Sequence, residues 1–161
     1  MRKEFLFAVC SLFIVCFLGA CDSLRIYEKN VDFNQRIWLY DSIATFSFDI
    51  EDTTQQYNLY YNVRNSLDYP FYNLYLNYEL KDSTEALLSS ELNNIALFDA
   101  KSGDPKGDGL GDVFDHQVLF LQDYRFKSKG TYHVAVQQFM RRDSLPEIMA
   151  FGIRVERLEA P

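Results

Sequence analysis

Cysteine, tryptophan and histidine are scarce in this sequence. Its 161 residues include three cysteines, one tryptophan and two histidines, and the cysteines are Cys10, Cys16 and Cys21. Because all three lie near the N-terminus, no cysteine pair is left to crosslink the rest of the chain. That remainder must fold by packing alone, and it is long enough for one domain with a sizeable core.

The common motifs of catalysis and zinc binding are also absent from the sequence. His116 and His133 lie far apart, and neither has an HxxxH or HExxH partner, which argues against zinc. We find no GxSxG nucleophile elbow, no P-loop and no GxGxxG. The sequence therefore predicts a protein that is not an enzyme and needs no cofactor.

Positive charge is in deficit. The chain has 16 lysines and arginines against 23 aspartates and glutamates, which gives a formal net charge of −7 at pH 7. This balance argues against a nucleic-acid partner and against electrostatic docking on anionic lipid.

The first twenty residues have the layout of a secretory signal peptide. A basic start, Arg2-Lys3, is followed by the apolar run FLFAVCSLFIVCFLG and then by small residues. The run is shorter than the ~20 residues that a spanning helix needs, so a retained transmembrane helix is the weaker alternative. LGAC at 18–21 resembles a bacterial lipobox. It predicts cleavage before Cys21 and lipidation of that cysteine rather than an ordinary buried thiol.

Alternation of apolar and polar residues dominates the remainder of the chain. It occurs at 44–50, 56–63, 73–80, 130–138 and 151–156, among abundant aromatics (11 Tyr and 14 Phe), and it predicts half-buried strands. In the last segment, Phe151, Ile153 and Val155 should face the core, while Arg154 and Glu156 face outward.

These strands predict an all-β fold, an antiparallel β-sandwich that is jelly-roll-like or an open barrel. STEALLSSEL at 83–92 and QQFMRRDSL at 137–145 supply at most one or two short helices. We assign residues 1–20 to a lipoprotein signal peptide, 21–35 to a lipidated tether and 36–161 to the sandwich domain.

The loop DAKSGDPKGDGLGD at 99–112 combines glycine with four carboxylates, Asp99, Asp104, Asp108 and Asp112. Flexible backbone and carboxylates suit Ca²⁺, but the EF-hand order is not met, and two lysines would oppose a cation. A long hairpin loop without metal is the favoured alternative.

Asp followed by Ser or Thr begins five short triplets, at 22, 41, 52, 82 and 143, which is more than the composition predicts. The triplet resembles the O-glycosylation acceptor of Bacteroidetes periplasmic proteins. Asp-Ser and Asp-Thr pairs are equally typical of turns and caps. The candidate acceptors are Ser42, Thr53, Ser83 and Ser144.

The chain resembles the gliding-motility lipoprotein GldH family of Bacteroidetes over most of its length. The likeness rests on the lipobox, Trp38, YNLYYNVRNSLDYPFYNLYL at 57–76, GDPKGDGLGD at 103–112, YRFKSKGTYHVAVQQFMR at 124–141 and LPEIMAFGIRVER at 145–157. A Met-Arg pair that ends the penultimate strand, here Met140-Arg141, is part of it.

The resemblance implies a non-catalytic envelope lipoprotein that supports a gliding-motility or type IX secretion machine by binding its proteins. It would be anchored by lipid, on the outer membrane facing the periplasm. Tyr60, Tyr72 and Tyr75 fall off the apolar stripes, and they are candidate partner contacts together with Arg154. Alternatively, the tyrosines cover a second sheet, or the sandwich binds carbohydrate on an aromatic platform.

Overall fold

The computed structural model describes residues 24–158. The predicted signal peptide and the predicted lipidation site, Cys21, lie outside the described residues. Within residues 24–158, no helix is long and apolar enough to cross a membrane.

The described chain folds into antiparallel strands that form two facing sheets and one small two-stranded sheet. The strands are β1 (Arg25–Asp32), β2 (Ile37–Leu39), β3 (Ala44–Ile50), β4 (Tyr57–Ser66), β5 (Asn73–Lys81), β6 (Leu87–Ala96), β7 (Asp108–Leu110), β8 (Val113–Tyr124), β9 (Gly130–Gln138), β10 (Ser144–Pro146) and β11 (Ile148–Arg157). One 3₁₀ turn, Asn34–Arg36, precedes β2.

Sheet A has the strand order β1-β11-β4-β8-β7, and sheet B has the order β3-β9-β5-β6. The strands β10 and β2 pair at one end. Of the two all-β alternatives, the antiparallel sandwich is confirmed, because the strands lie in separate facing sheets.

The core lies between the inner faces of the two sheets and is rich in aromatic rings. Trp38, Phe46, Tyr61, Tyr78 and Phe151 are among its largest fully buried side chains. Each of the last four occupies an inward position of an alternating strand, so the period of two places it in the core. Offset and tilted ring pairs join them, for example Phe46 with Phe151 at 6.1 Å.

The predicted register of the closing strand is confirmed. Phe151, Ile153 and Val155 are fully buried in β11, while Arg154 and Glu156 lie on its opposite, outer face. The predicted turn before β9 also needs its glycine, because Gly130 has a φ of +133°.

The predicted tether is wrong for most of its length. Residues 25–32 form β1, which pairs with β11 from Arg25 opposite Glu156 to Asp32 opposite Ala150. Apolar and polar residues do not alternate in the segment RIYEKNVD. It forms an edge strand, which tolerates charged residues on both faces, and a register shift interrupts its start. The folded domain therefore begins near residue 25 rather than 36.

The predicted helix at 83–92 is also wrong. The segment begins with a turn, in which the Asp82 carboxylate accepts hydrogen bonds from the Thr84 N–H (2.8 Å) and hydroxyl (2.6 Å). It then continues as β6, paired with β5 over its whole length. The helix propensity of Glu85, Ala86 and the leucines does not decide the structure here, because β5 lies across a short turn and its backbone N–H and C=O groups pair with this segment. The second segment, 137–145, is not helical either: it comprises the end of β9, an irregular connection at 139–143 and the start of β10.

Gly152 in the middle of β11 should be intolerant of any side chain. A Cβ built there would overlap Asn30 Oδ1 and lie 2.5 Å from the Lys29 carbonyl oxygen. Because the second atom belongs to the backbone of β1, we expect Gly152→Val to separate β1 from β11 and to lower the melting temperature by about 10 °C or more.

The matched control is the double variant that combines Gly152→Val with Asn30→Ala. The double variant removes the side-chain collision and keeps the backbone one, so it should regain only part of the lost stability. Hydrogen exchange of residues 25–32 reports whether β1 has detached. A wild-type melting temperature for Gly152→Val would contradict the close approach of β1 and β11.

Candidate interaction surface

A group of exposed and half-buried apolar side chains lies at one end of the outer face of sheet B. We call it the aromatic corner, and it consists of Tyr40, Tyr75, Leu92, Phe139 and Met140. Tyr75 is 38% exposed, Phe139 40% and Leu92 49%. Large apolar groups gathered at one surface, rather than scattered, are typical of interaction sites.

The corner is assembled by backbone bonds between the ends of β5 and β9. The Phe139 N–H donates to the Tyr75 carbonyl at 2.7 Å, and the Tyr75 N–H contacts Met140 Sδ at 3.2 Å. The ring of Tyr40 joins from the β2–β3 connection, with its centroid 6.2 Å from that of Phe139. Side chains from distant parts of the sequence therefore meet at one place.

The turn that follows β9 is held by a buried amide, Gln138. Its Nε2 donates to the Arg142 carbonyl at 2.8 Å, and its Oε1 accepts from the Met140 N–H at 3.0 Å. Gln138 is fully buried. It faces the core in the same alternating series as Val134 and Val136. The sequence could have indicated this buried hydrogen-bonding role, because a polar residue stands at the end of a series of apolar inward positions.

Two basic side chains flank the corner. Arg141 and Arg142 are both exposed, and Arg141 has a φ of +56°, a left-handed conformation that costs energy outside glycine. Arg142 lies over the ring of Phe71 at 5.7 Å. Two adjoining pockets, of about 410 Å³ and 260 Å³, lie between these arginines and the aromatic rings.

The outer face of sheet A carries a second, polar surface. A pocket of about 320 Å³ is lined mainly by amide, carboxylate and guanidinium side chains, among them Asn30, Asn62 and Arg64. Most of its polar groups already have partners: Asn62 donates to Glu28 at 2.8 Å, and Arg64 binds Asp115 through two hydrogen bonds.

Arg154 lies on this polar face and is engaged there. Its guanidinium contacts the carboxylates of Glu28 and Glu156. Partial burial raises the pKa of the Glu28 carboxyl, but hydrogen bonds from Arg25 and Asn62 and the charge of Arg154 outweigh it, so this pKa lies below its ordinary value. Arg154 therefore stabilises the surface of sheet A.

The structure separates the four contact residues suggested by the sequence. Tyr60 and Arg154 lie on the outer face of sheet A, whereas Tyr75 lies in the aromatic corner of sheet B. Tyr72 is 52% exposed in the connection before β5 and lines neither pocket of the corner. Phe139, Met140 and Leu92 were missed as surface residues, because apolar side chains carry no sequence mark that distinguishes a binding surface from a core.

The four loop aspartates are not gathered into a cation site. Asp99 accepts hydrogen bonds from the backbone N–H groups of Ser102 and Lys101, which lower the pKa of its carboxyl. Asp108 lies in β7, and the Asp112 carbonyl accepts from the Leu67 N–H at 2.8 Å; Asp104 bonds back to Asp99 through its own carbonyl. Within residues 24–158, no three His, Cys, Asp or Glu side chains are placed to hold a metal ion.

The candidate glycosylation acceptors all reach the surface. Ser42, Ser83 and Ser144 are exposed, and Thr53 is half-buried. The triplets at 52 and 82 also build turns, because Asp52 accepts from the Thr54 N–H at 2.9 Å just as Asp82 does from Thr84. Glycosylation at these four positions stays a prediction.

His116 is the buried histidine of the described chain. It faces inward from β8, and burial lowers the pKa of its imidazole, although the charges of Asp115 and Asp108 oppose this. Its ring packs 2.8 Å from where a Cβ of Gly107 would lie. The close packing explains why a glycine stands at position 107.

Fold and surface together define an all-β sandwich domain with an exposed aromatic corner. A family model described as GldH lipoprotein matches residues 25–155. The chain therefore belongs to the GldH lipoprotein family, and the resemblance drawn from the sequence is confirmed.

Two curated proteins are similar along nearly the whole chain. The gliding motility lipoprotein GldH homolog of Christiangramia forsetii is 30% identical over 153 residues, covering 91% of this chain and 92% of that protein. The gliding motility lipoprotein GldH of Flavobacterium johnsoniae is 26% identical over 151 residues, covering 87% and 89%.

Among solved structures, the VP2 subviral particle of infectious bursal disease virus matches 83% of this chain and 33% of its own chain. The TM-score is 0.39 and the identity 12%. A similarity this low supports no conclusion about function.

Proposed function

We propose that this chain is a lipid-anchored, non-catalytic component of the envelope machinery of gliding motility and the associated type IX secretion system. It acts by binding another protein of that machinery and so supports its assembly or stability. Cleavage before Cys21 and acylation of its thiol would hold the domain at the outer membrane, facing the periplasm. The names of the two relatives and the family membership support this role.

The observation that carries the binding role is the aromatic corner. Exposed Tyr75, Leu92 and Phe139 lose contact with water when a partner covers them, and apolar area removed from water contributes about 25 cal/mol per Å². Aromatic and arginine side chains are also the residue types most enriched in energetically important interface positions.

The charges around the corner indicate the chemistry of the partner. The chain as a whole is acidic, with a net charge of −7, whereas the pockets of the corner are lined by two cations, Arg141 and Arg142, and one carboxylate, Asp143. A partner surface that places a carboxylate beside an apolar side chain would match both features, and it would be repelled by most of the remaining surface.

The test is a double variant, Tyr75→Ala with Phe139→Ala, compared with Leu110→Ala. Leu110 is 93% exposed at the distant β7–β8 turn, so its replacement also removes an exposed apolar side chain. Native membranes extracted with mild detergent are separated by size. We expect wild type and Leu110→Ala in a large complex, and the double variant in a small one.

The double variant should keep the wild-type melting temperature within a few degrees, since both rings are on the surface. Gliding or type IX secretion by cells that carry each variant gives the functional readout. Equal complex size for the two variants would exclude the corner as the binding surface. A wild-type chain that is never part of a complex would refute the proposed function.

Carbohydrate binding is the second candidate, and the polar pocket of sheet A favours it. Its amides and carboxylates could bind sugar hydroxyls. However, Tyr60 and Tyr75 lie on the outer faces of opposite sheets and cannot form one stacking platform. A glycan array on which binding is lost with Asn62→Ala, and not with Phe139→Ala, would establish this alternative.

A further inference from the structure

The strand β6 lies at the edge of sheet B, and no described strand pairs with its outer edge. It pairs with β5 and with no other described strand, and its register is continuous over residues 89–96. Over that length it contains no proline, lysine, arginine or bulge, and its only charged residue is Glu91. A strand edge of this kind presents a row of free N–H and C=O groups to another extended chain.

The other strand edges of the two main sheets are protected. The strand β1 carries the charged residues Arg25, Glu28 and Lys29. Tyr27 lies beside β3, and its phenol group forms a hydrogen bond with the backbone of Ser47 in that strand. The edge of β8 is covered at one end by β7 and is distorted elsewhere by two register shifts against β4. Such charges, coverings and bulges are the usual means by which proteins block unwanted strand pairing.

The core is incompletely covered beside this bare edge. Val118, Phe120 and Leu121 of β8 pack against the core but remain partly exposed. The Phe120 ring stacks on Tyr61 at 4.0 Å and contacts Tyr78 at 5.0 Å. Apolar side chains that project inward from an additional strand beside β6 would lie above this part of the core.

The inner face of β6 fixes which chemistry suits that additional strand. Ser89 and Asn93 are already engaged, because they form 2.8 Å hydrogen bonds with the phenol groups of Tyr78 and Tyr61. Glu91 lies between them on the same face and is exposed. A neighbouring strand would therefore be favoured by a lysine or arginine opposite Glu91, with apolar residues two positions to either side.

We infer that β6 accepts an extended segment of a partner protein by strand addition, and that this segment alternates apolar residues with a basic residue opposite Glu91. The backbone of β6 requires an extended occupant, the partly exposed core requires apolar side chains, and Glu91 requires the cation. Leu92 belongs both to β6 and to the aromatic corner, but its side chain lies on the outer face of the strand, whereas the pairing proposed here uses the backbone edge and the inner face and does not depend on the corner.

The test uses a synthetic peptide, Val-Thr-Val-Thr-Lys-Thr-Val-Thr-Val, and the full lipoprotein purified in detergent. Hydrogen exchange followed by mass spectrometry reports the protection of each segment. We expect the peptide to slow exchange in residues 89–96 and to leave β1 and β3 unchanged. A peptide in which the third and sixth residues are proline should give no protection, because alternate residues direct their N–H groups to opposite edges and one of the two prolines must therefore remove an N–H that pairing with β6 uses.

Charge reversal tests the pairing at Glu91. Glu91→Lys should weaken binding of the lysine peptide about fivefold, and a peptide with glutamate in place of lysine should recover the loss. The matched control is Glu51→Lys, which makes the same charge change next to the opposite edge of sheet B. Phe139→Ala should leave peptide binding unchanged, which separates this test from that of the aromatic corner.

Three outcomes would overturn the inference. The first is an absence of peptide protection in residues 89–96 at millimolar peptide. The second is an equal effect of Glu91→Lys and Glu51→Lys. The third is protection of β6 without peptide that rises with protein concentration, since this would make a second copy of the chain the occupant.

Discussion

Ile153→Asp is expected to unfold the domain under conditions in which the wild type is stable. Ile153 is fully buried in β11, between β1 and β4, where it lies opposite Lys29 on one side and Tyr61 on the other. An aspartate at this position loses the apolar contacts and buries a carboxylate. The cation opposite it, Lys29, is exposed at the sheet edge and would have to lose its own hydration to pair with that carboxylate, so the total cost is about 4 kcal/mol or more. That is a large share of the roughly 5–15 kcal/mol that holds a domain together.

Two variants of the same strand serve as controls for Ile153→Asp. Ile153→Val removes one methylene group and should cost about 1 kcal/mol. Arg154→Ala removes a side chain on the outer face and should also cost about 1 kcal/mol, through its lost contacts with Glu28 and Glu156. Urea unfolding midpoints are measured for all three variants, and Ile153→Asp should have by far the lowest. Equal midpoints for Ile153→Asp and Arg154→Ala would contradict the register of β11.

Strands with strict alternation were the part of the fold that the sequence predicted well. The segments 44–50 and 130–138 coincide with β3 and β9, and the inward residues of β11 are the predicted ones. Alternation is reliable here because each of these strands has one face on the core and one toward water. A shift of one residue would exchange the two faces and expose every large apolar side chain.

The edge strands were beyond sequence reasoning for a physical reason. The strands β1, β6 and β8 face the core only in part, so their side chains are not forced to alternate. In β6 the inward positions hold Ser89, Glu91 and Asn93, because two phenol groups, one from β5 and one from the facing sheet, need hydrogen-bond partners there. Polar residues on an inward face remove the periodic signal that defines a strand.

The aromatic corner could be predicted only through Tyr75. Its other members become neighbours through the pairing of β5 with β9 and through the turn held by Gln138, neither of which is evident in the local sequence. Gln138 itself was detectable, as a polar residue that continues the inward series of β9. Such a residue indicates a buried hydrogen-bond network at the end of a strand, and here that network places Phe139 and Met140 at the surface.

Cys21→Ser is expected to abolish lipid attachment, although the folded domain should be unchanged. Lipid transfer to this position forms a thioether, which a serine hydroxyl cannot provide. Each buried CH₂ of an acyl chain contributes ~0.8 kcal/mol to binding, and lasting attachment takes more than one chain. Without them, a chain whose full sequence has a formal net charge of −7 has no electrostatic attraction to anionic lipid.

Cys16→Ser is the matched control, because it changes a cysteine that should leave with the signal peptide. Membranes washed at high salt should retain wild type and Cys16→Ser, whereas Cys21→Ser should remain as an uncut precursor or leave with the soluble fraction. Metabolic labelling with a fatty acid should mark the first two proteins and not the third. If Cys21→Ser keeps the mature size, the label and the membrane location, Cys21 is not the anchor. The aromatic corner and β6 would then have to reach their partners without a lipid that confines them to one membrane face.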